Sequence, residues 1–323
     1  MTRRGRWGVF LSKGARMKEK LRQAVWSTLV ITVALVSACG GVKDGNAGNS
    51  SAVAVPTRQV TDDLGRSVTI PVKVSRIVSL APNLTENIFA VGAGERLVGV
   101  TTFCNYPEQA KEIAKIGDTM TPNMETIVAL KPDIVFVSTA SQIEAFTKTL
   151  AENGIAVYVT NPTSLDGVMD DLKKLGDICG TSEQANQVAA ELKRRIGDVW
   201  RKFELEERTR VFVQISKEPL FTIGKQSFLN GLLVKAGAQS VTSDVETAYP
   251  KLSKETASAL NPEAIILSES DDNREPNEVF KNSPAVKSGR VFKVNADLLS
   301  RPGPRLVDAL EQIAKDLHPG KFK

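Results

Sequence analysis

Glu125-Thr126-Ile127-Val128-Ala129-Leu130-Lys131-Pro132-Asp133 runs directly into the apolar stretch Ile134-Val135-Phe136-Val137. The same design returns 130 positions later. Glu255-Thr256-Ala257-Ser258-Ala259-Leu260-Asn261-Pro262-Glu263 leads into Ala264-Ile265-Ile266-Leu267. Both copies read E-T-x-x-A-L-x-P-[D/E] followed by an apolar run. The Glu suits the positive end of a short helix. Ile127, Ala129 and Leu130, and in the second copy Ala257, Ala259 and Leu260, can face a core. The Pro forbids continuation, because it pushes the preceding residue out of the α region. A short apolar run rich in branched residues then reads as a buried parallel strand. Each copy is thus a helix-to-strand step of an α/β unit, and the pair predicts two similar lobes. A core needs neither the Glu nor the Thr, yet both copies keep them at one offset.

Working outward, the pattern stays α/β. Strands are predicted at residues 76–80, 97–100 and 155–159, with a helix over 165–179 that stops at Gly180. Residues 181–207 lack Pro, open with the capped start Thr181-Ser182-Glu183-Gln184, and place Val188, Leu192, Ile196, Val199 and Phe203 at helical spacing. This predicts one long helix between the lobes. The second lobe opens with a strand at 210–215, has a last strand at 291–294, passes through a loop at 297–305, and closes with a helix over 306–317. Ahead of the first lobe, residues 60–70 predict a hairpin turning near Gly65. The fold class is therefore two α/β lobes with largely parallel sheets, joined by a single long α-helix, with a cleft between them.

The chain of 323 residues carries a formal charge of +5, but the excess is local. Residues 1–38 hold eight Lys or Arg against Glu19 alone, and without them the balance is about −2. The remainder gives no electrostatic case for nucleic-acid binding. Residues 24–38 are apolar, too short for a spanning helix, and end Val36-Ser37-Ala38-Cys39-Gly40. Small residues before a Cys at such a boundary resemble a bacterial lipobox. The expected organisation is a lipoprotein signal peptide at 1–38, starting at Met1 or Met17, and a lipidated Cys39 with a flexible tether at 39–59. An N-terminal lobe at 60–180, the linking helix at 181–207 and a C-terminal lobe at 208–323 follow. Export and lipid anchoring to the cell membrane are the corresponding expectations.

Catalytic and metal-binding classes find little support. His318 is the single His, and Cys39, Cys104 and Cys179 form no C-x-x-C, which argues against zinc or manganese sites. No G-x-S-x-G, P-loop, H-E-x-x-H or strand-borne G-x-G-x-x-G is present, so an enzyme is not expected. For Cys104 and Cys179, inert thiols are favoured over a disulfide, which export would permit.

Taken in order, the lipobox, "RIVSLAPNLTENIFAVGAGERLVGVTTFCNYPEQAK", "NMETIVALKPDIVFV", the long middle helix, "PLFTIGKQSFLNGLL", "YPKLSKETASALNPEAIIL" and "RPGPR" carry a family resemblance. The chain over about 60–318 resembles the substrate-binding proteins of ABC importers for vitamin B12, iron-siderophores and haem, and most of all their cobalamin-binding branch. That resemblance implies a monomer that takes cobalamin, or alternatively a ferric siderophore or haem, between two lobes with small hinge motions. It implies delivery to a permease dimer with its ATPase subunits. Glu125 and Glu255 match the family's two acidic knobs, which pair with permease Arg residues. Phe103, Tyr249 and Phe221 match aromatic positions of the cleft; Asp297 and Arg301 match polar rim positions, and Asn83 joins them as a ligand-binding candidate. Arg305 and Lys225 are further candidate cations, Tyr106 a further phenol. One family Trp is missing, and Thr119 stands in its place.

Overall fold

The two copies of the repeat fold alike. A computed structural model of the chain describes residues 55–139 and 143–323, the side chains of 143–146 excepted. The expected signal peptide, Cys39 and most of the expected tether lie outside the described residues. In the first copy, helix α2 (Met124–Ala129) leads into strand β5 (Ile134–Ser138); in the second, α7 (Lys254–Ala259) leads into β9 (Ala264–Glu269). Asn123 Oδ1 accepts from Thr126 N at 2.9 Å and Ser253 Oγ from Thr256 N at 3.1 Å, so each helix has a side-chain N-cap. Both helices end at a residue in the left-handed region: Lys131 at φ 47° and Asn261 at φ 50°. These are the two non-glycine residues with positive φ among the described residues, and each directly precedes the Pro.

The acidic residue after that Pro is structural. Asp133 Oδ2 accepts from Arg76 N at 2.9 Å, and Glu263 Oε2 from Arg210 N at 2.9 Å. The same two arginines return a guanidinium to the helix end. Arg76 Nη2 donates to Leu130 O at 2.6 Å and Arg210 Nη2 to Leu260 O at 3.1 Å. Each motif thus locks a helix C-terminus to the start of the lobe's first strand, satisfying carbonyls a helix end leaves free.

The N-terminal lobe carries β3 (Ile77–Ser79), β4 (Leu97–Val100), β5 and β6 (Ala156–Thr160) as a parallel sheet in the order β4-β3-β5-β6. The C-terminal lobe carries β7 (Thr209–Gln214), β8 (Ala238–Ser240), β9 and β10 (Val291–Asn295) in the order β8-β7-β9-β10, also parallel. The two orders are the same. A hairpin of β1 (Thr57–Thr61) and β2 (Ser67–Pro71) packs beside β6, turning through Gly65 at φ 75°.

Both faces of each sheet are buried, so the strands read as continuous apolar runs. Along β5, Ile134 and Phe136 join one core while Val135 and Val137 join another beneath α2 and α3 (Ile143–Glu152). Along β9, Ala264 and Ile266 join the first core and Ile265 and Leu267 a third. The first core is common to both lobes. It runs from α1 (Pro82–Ala90) and α4 (Leu165–Cys179) through α5 (Ser182–Trp200) to α6 (Leu229–Lys235) and α10 (Leu306–Leu317). Helix α5, about 28 Å long at 1.5 Å per residue, is the bridge, and Arg195 on it pairs with Asp308 (2.7 Å) and Glu311 (2.9 Å) of α10.

Two expectations need correction. The linking helix ends at Trp200 rather than at 207. Lys202 N and Phe203 N donate to carbonyls three residues back, tightening the chain into turns. This drops the buried Phe203 onto His318, with ring centroids 4.7 Å apart. Tertiary packing there overrides helical periodicity. Residues 297–305 are not all loop: α9 (Ala296–Ser300) holds Asp297 in its first turn, where Asn295 Oδ1 accepts from Asp297 N at 2.8 Å. The short α8 (Pro284–Lys287) completes the helices.

Candidate ligand-binding cleft

In an open parallel sheet the crevice lies beyond the carboxyl ends of the strands, where neighbouring connections leave in opposite directions. Here the segments following those ends meet. Asn83 after β3, Phe103 after β4, Ser138 at the end of β5 and Asn161 after β6 come from one lobe. Ile215 after β7 and Ser268 near the end of β9 come from the other. They line a cavity of about 810 Å³. Two pairs of its lining residues stand 130 positions apart, Ser138 with Ser268 and Thr119 with Tyr249, so the repeat builds both walls.

Each lobe contributes one exposed aromatic. Phe103 is 59% exposed and Tyr249 44% exposed, both on the cavity wall. Burial raises the Tyr249 phenol above its ordinary pKa, and a hydrogen bond from Ser227 partly offsets this. Asn83, Asp297 and Arg301 also line the cavity. Phe221 does not. Its backbone forms bridges to Ser216 and Lys251, and it is half-buried in that small β arrangement, while Ile215 takes the wall position.

The charged residues of the wall, Asp297 and Arg301, are paired at 2.7 Å. Arg301 is engaged further: its Nη1 donates to Glu86 Oε1 at 2.8 Å and to Asn105 Oδ1 at 2.7 Å. Arg305 completes the group with a bidentate grip on Glu86, Nε to Oε2 at 2.8 Å and Nη2 to Oε1 at 2.5 Å. The Tyr106 ring covers the Arg305 guanidinium at 4.0 Å, and the Glu86 carboxylate holds Arg305 above its ordinary pKa. Glu86 and Asn105 belong to the N-terminal lobe, Asp297, Arg301 and Arg305 to the C-terminal lobe, so this network clasps the lobes together. Lys225 pairs with Glu246 at 2.8 Å and does not line the cavity.

Glu86 and Asn105 escaped the sequence reading. The available signal was the run Thr85-Glu86-Asn87, all buried inside a helix between Leu84 and Ile88. Three consecutive polar residues on a core-facing turn call for partners.

Glu125 and Glu255 sit exposed in the first turns of α2 and α7. Among the described residues neither forms an ion pair. Hydrogen bonds from its own backbone N–H and from Ser253 hold Glu255 below the usual carboxylate range. Each lies six residues beyond a cavity-lining position, Thr119 or Tyr249. Cys104 is buried off the wall, its Sγ within 3.1 Å of Thr85 Oγ1 and 3.2 Å of Thr101 Oγ1. Cys104 and Cys179 are free thiols, and burial pushes the Cys179 thiol up to about 12. His318 faces Phe203 and Gly237 O (3.2 Å), its pKa lowered by burial.

Residues 77–298, which span both sheets and the cleft between them, match the family described as periplasmic binding protein. The chain belongs to the periplasmic binding protein family. This periplasmic binding protein is 32% identical over 316 residues to the uncharacterized ABC transporter substrate-binding lipoprotein YvrC of Bacillus subtilis (strain 168), covering 94% of this chain and 99% of that one. It is 30% identical over 245 residues to the vitamin B12-binding protein of Vibrio cholerae serotype O1, covering 75% and 89%. The crystal structure of the periplasmic vitamin B12 binding protein BtuF of Vibrio cholerae superposes with a TM-score of 0.68 at 27% identity, covering 78% of this chain and all of that one. The two-lobed parallel-sheet fold of this periplasmic binding protein is therefore shared with that solved structure.

Proposed function

We propose that this substrate-binding protein of an ABC importer captures a corrinoid, cobalamin or a close relative, in the interlobe cavity and delivers it to a two-fold permease. The carrying observation is the chemistry of the wall. Two exposed aromatics, one per lobe, stand among uncharged hydroxyl and amide side chains such as Asn83, Thr119, Ser138, Asn161, Gln226 and Ser268. The one lining cation among the described residues, Arg301, is neutralised by Asp297 and Glu86. A corrinoid is a large, mostly apolar macrocycle fringed with carboxamides. Aromatic faces bury its ring at low entropic cost, and neutral donors and acceptors orient its amides. Haem carries carboxylates, and catecholate or carboxylate ferric siderophores are anionic, so these call for unpaired cations. Arg305 and Lys225 are each paired, and neither lines the cavity. The similarity to vitamin B12-binding relatives supports the same choice.

Glu125 and Glu255 dock the permease, one per lobe, by charge pairing that steers encounter and fixes register. Cys39 carries the lipid that holds the exported domain at the membrane. Calorimetric titration of residues 40–323 with cyanocobalamin, with haemin and a ferric siderophore as competitors, tests the ligand. Sub-micromolar, one-to-one binding of cyanocobalamin is expected. Binding of haemin or the siderophore in its place would overturn the corrinoid assignment.

A further inference from the structure

The four charges of the interlobe clasp sum to zero: Glu86 and Asp297 against Arg301 and Arg305. They are not equally placed. Arg301 and Asp297 reach the cavity wall, while Glu86 and Arg305 do not line it. The Glu86 side chain is 2% exposed, and three donor atoms of two guanidiniums converge on it. Arg301 Nη1 is shared between Glu86 and Asn105, and its Nη2 faces Asp297. Without Glu86, two cations would face one carboxylate: Arg301 would keep Asp297, Arg305 would lose its acidic partner, and the cluster beside the ligand space would carry one surplus positive charge.

We propose that Glu86 is the positioning residue that sets the charge of this cleft, cancelling Arg301 so that the site selects a neutral carboxamide over a carboxylate. The inference rests on the corrinoid reading and deepens it. The cleft has to tell an intact amide-fringed ring from one in which an amide has been hydrolysed, a difference of one charge at one edge. Discrimination of that kind comes from an unfavourable element as much as a favourable one. Asp297 on the wall supplies it, repelling a carboxylate, provided Arg301 has no charge to spare. Glu86 removes that spare charge from behind, at a position where water screens it little.

The opposite-signed control is built into the network. Arg305→Gln removes the outer cation and leaves Glu86 and Asp297 against Arg301 alone, so it should sharpen rejection of carboxylates. Glu86→Gln keeps an oxygen acceptor but removes the charge, so it should relax rejection. The experiment measures the dissociation constants of wild type, Glu86→Gln and Arg305→Gln for cyanocobalamin and for a cobalamin monocarboxylate bearing one hydrolysed propionamide. The amide-to-carboxylate preference should fall about tenfold in Glu86→Gln and rise by a similar factor in Arg305→Gln. A purely structural role for Glu86 weakens both ligands together and leaves their ratio alone. Folded variants with the wild-type ratio would overturn the proposal while leaving the corrinoid reading intact. Wild-type protein that binds neither corrinoid would overturn the reading and the proposal with it. Should Glu86→Gln fail to fold, the sign of the Arg305→Gln shift decides alone.

Discussion

Replacing Tyr249 by Ala removes the aromatic that the second lobe offers the ligand, and its cost can be worked from the structure. The residue is 44% exposed on the cavity wall. With roughly 200 Å² for a large aromatic side chain, about 90 Å² remains for a ligand to cover. At roughly 25 cal/mol per Å² this is worth about 2 kcal/mol, or close to thirtyfold in Kd. Tyr249→Phe keeps the ring and loses the hydroxyl that meets Ser227, so its penalty should stay under about fivefold. The assay is calorimetric titration of cyanocobalamin into wild type and both variants, with melting temperature recorded alongside. An Ala variant that melts like wild type and binds within threefold of it would refute the reasoning. The Tyr249 ring would then be a wall that the ligand does not touch.

Further outcomes follow from other parts of the molecule. The double variant Glu125→Ala/Glu255→Ala should bind ligand within twofold of wild type yet lose permease-dependent uptake, each single variant losing part of it; wild-type uptake by the double variant would sink the docking assignment. Cys39→Ser should move the protein from the membrane fraction to the soluble fraction of cells, and unchanged fractionation would remove Cys39 as the anchor. Asp171 is 3% exposed, its Oδ2 has no hydrogen-bond partner among the described residues, and burial followed by the charge of Asp63 pushes its carboxyl up to about 8 from an ordinary 3.8. The fold therefore retains a proton that the unfolded chain releases, so this stability is present below about pH 4 and lost as pH rises to about 8. Asp171→Asn should raise the melting temperature at pH 9 and flatten its decline between pH 5 and 9; a wild-type curve already flat over that range would contradict the assignment.

The fold class was legible because its determinants are local or periodic. The repeat supplies a cap, a helix, a left-handed exit and a Pro within ten residues, and the strands behind it alternate between two buried faces. The start of α5 carried the same kind of signal. Its end did not, because Phe203 leaves the helix to meet His318, more than a hundred residues away. Half of the site was legible in the same sense, as exposed aromatics and polar residues in loops that follow strands. The clasp was not. Glu86 and its two arginines are 215 and 219 positions apart, and nothing near Glu86 announces a partner in the other lobe. Phe221 shows the converse: an aromatic after a strand resembles a cleft residue until β-bridges on either side fix its place.

The 130-residue offset also separates what the fold requires from what function requires. Asp133 and Glu263 recur because each accepts from the backbone of its lobe's first strand; Lys131 and Asn261 recur at the same left-handed exit. These positions would be kept in any duplicated α/β unit. Glu125 and Glu255 have a lighter duty: Asn123 and Ser253 cap their helices, Glu255 meets only its own backbone N–H and Ser253, and no ion pair engages either among the described residues. A duplicated acidic residue that is exposed and held by no ion pair among the described residues is what a partner of two-fold symmetry would keep. Thr119 and Tyr249 show the opposite: they occupy equivalent places on the cavity wall, yet one is small and the other a ring. A ligand lacking two-fold symmetry has no use for matching walls. Under the proposed function, the duplication survives where the permease is symmetric and is broken where the corrinoid is not. Restoring symmetry with Thr119→Tyr should then alter ligand affinity while leaving uptake per bound ligand unchanged, and an uptake defect with normal affinity would break this link between the two faces.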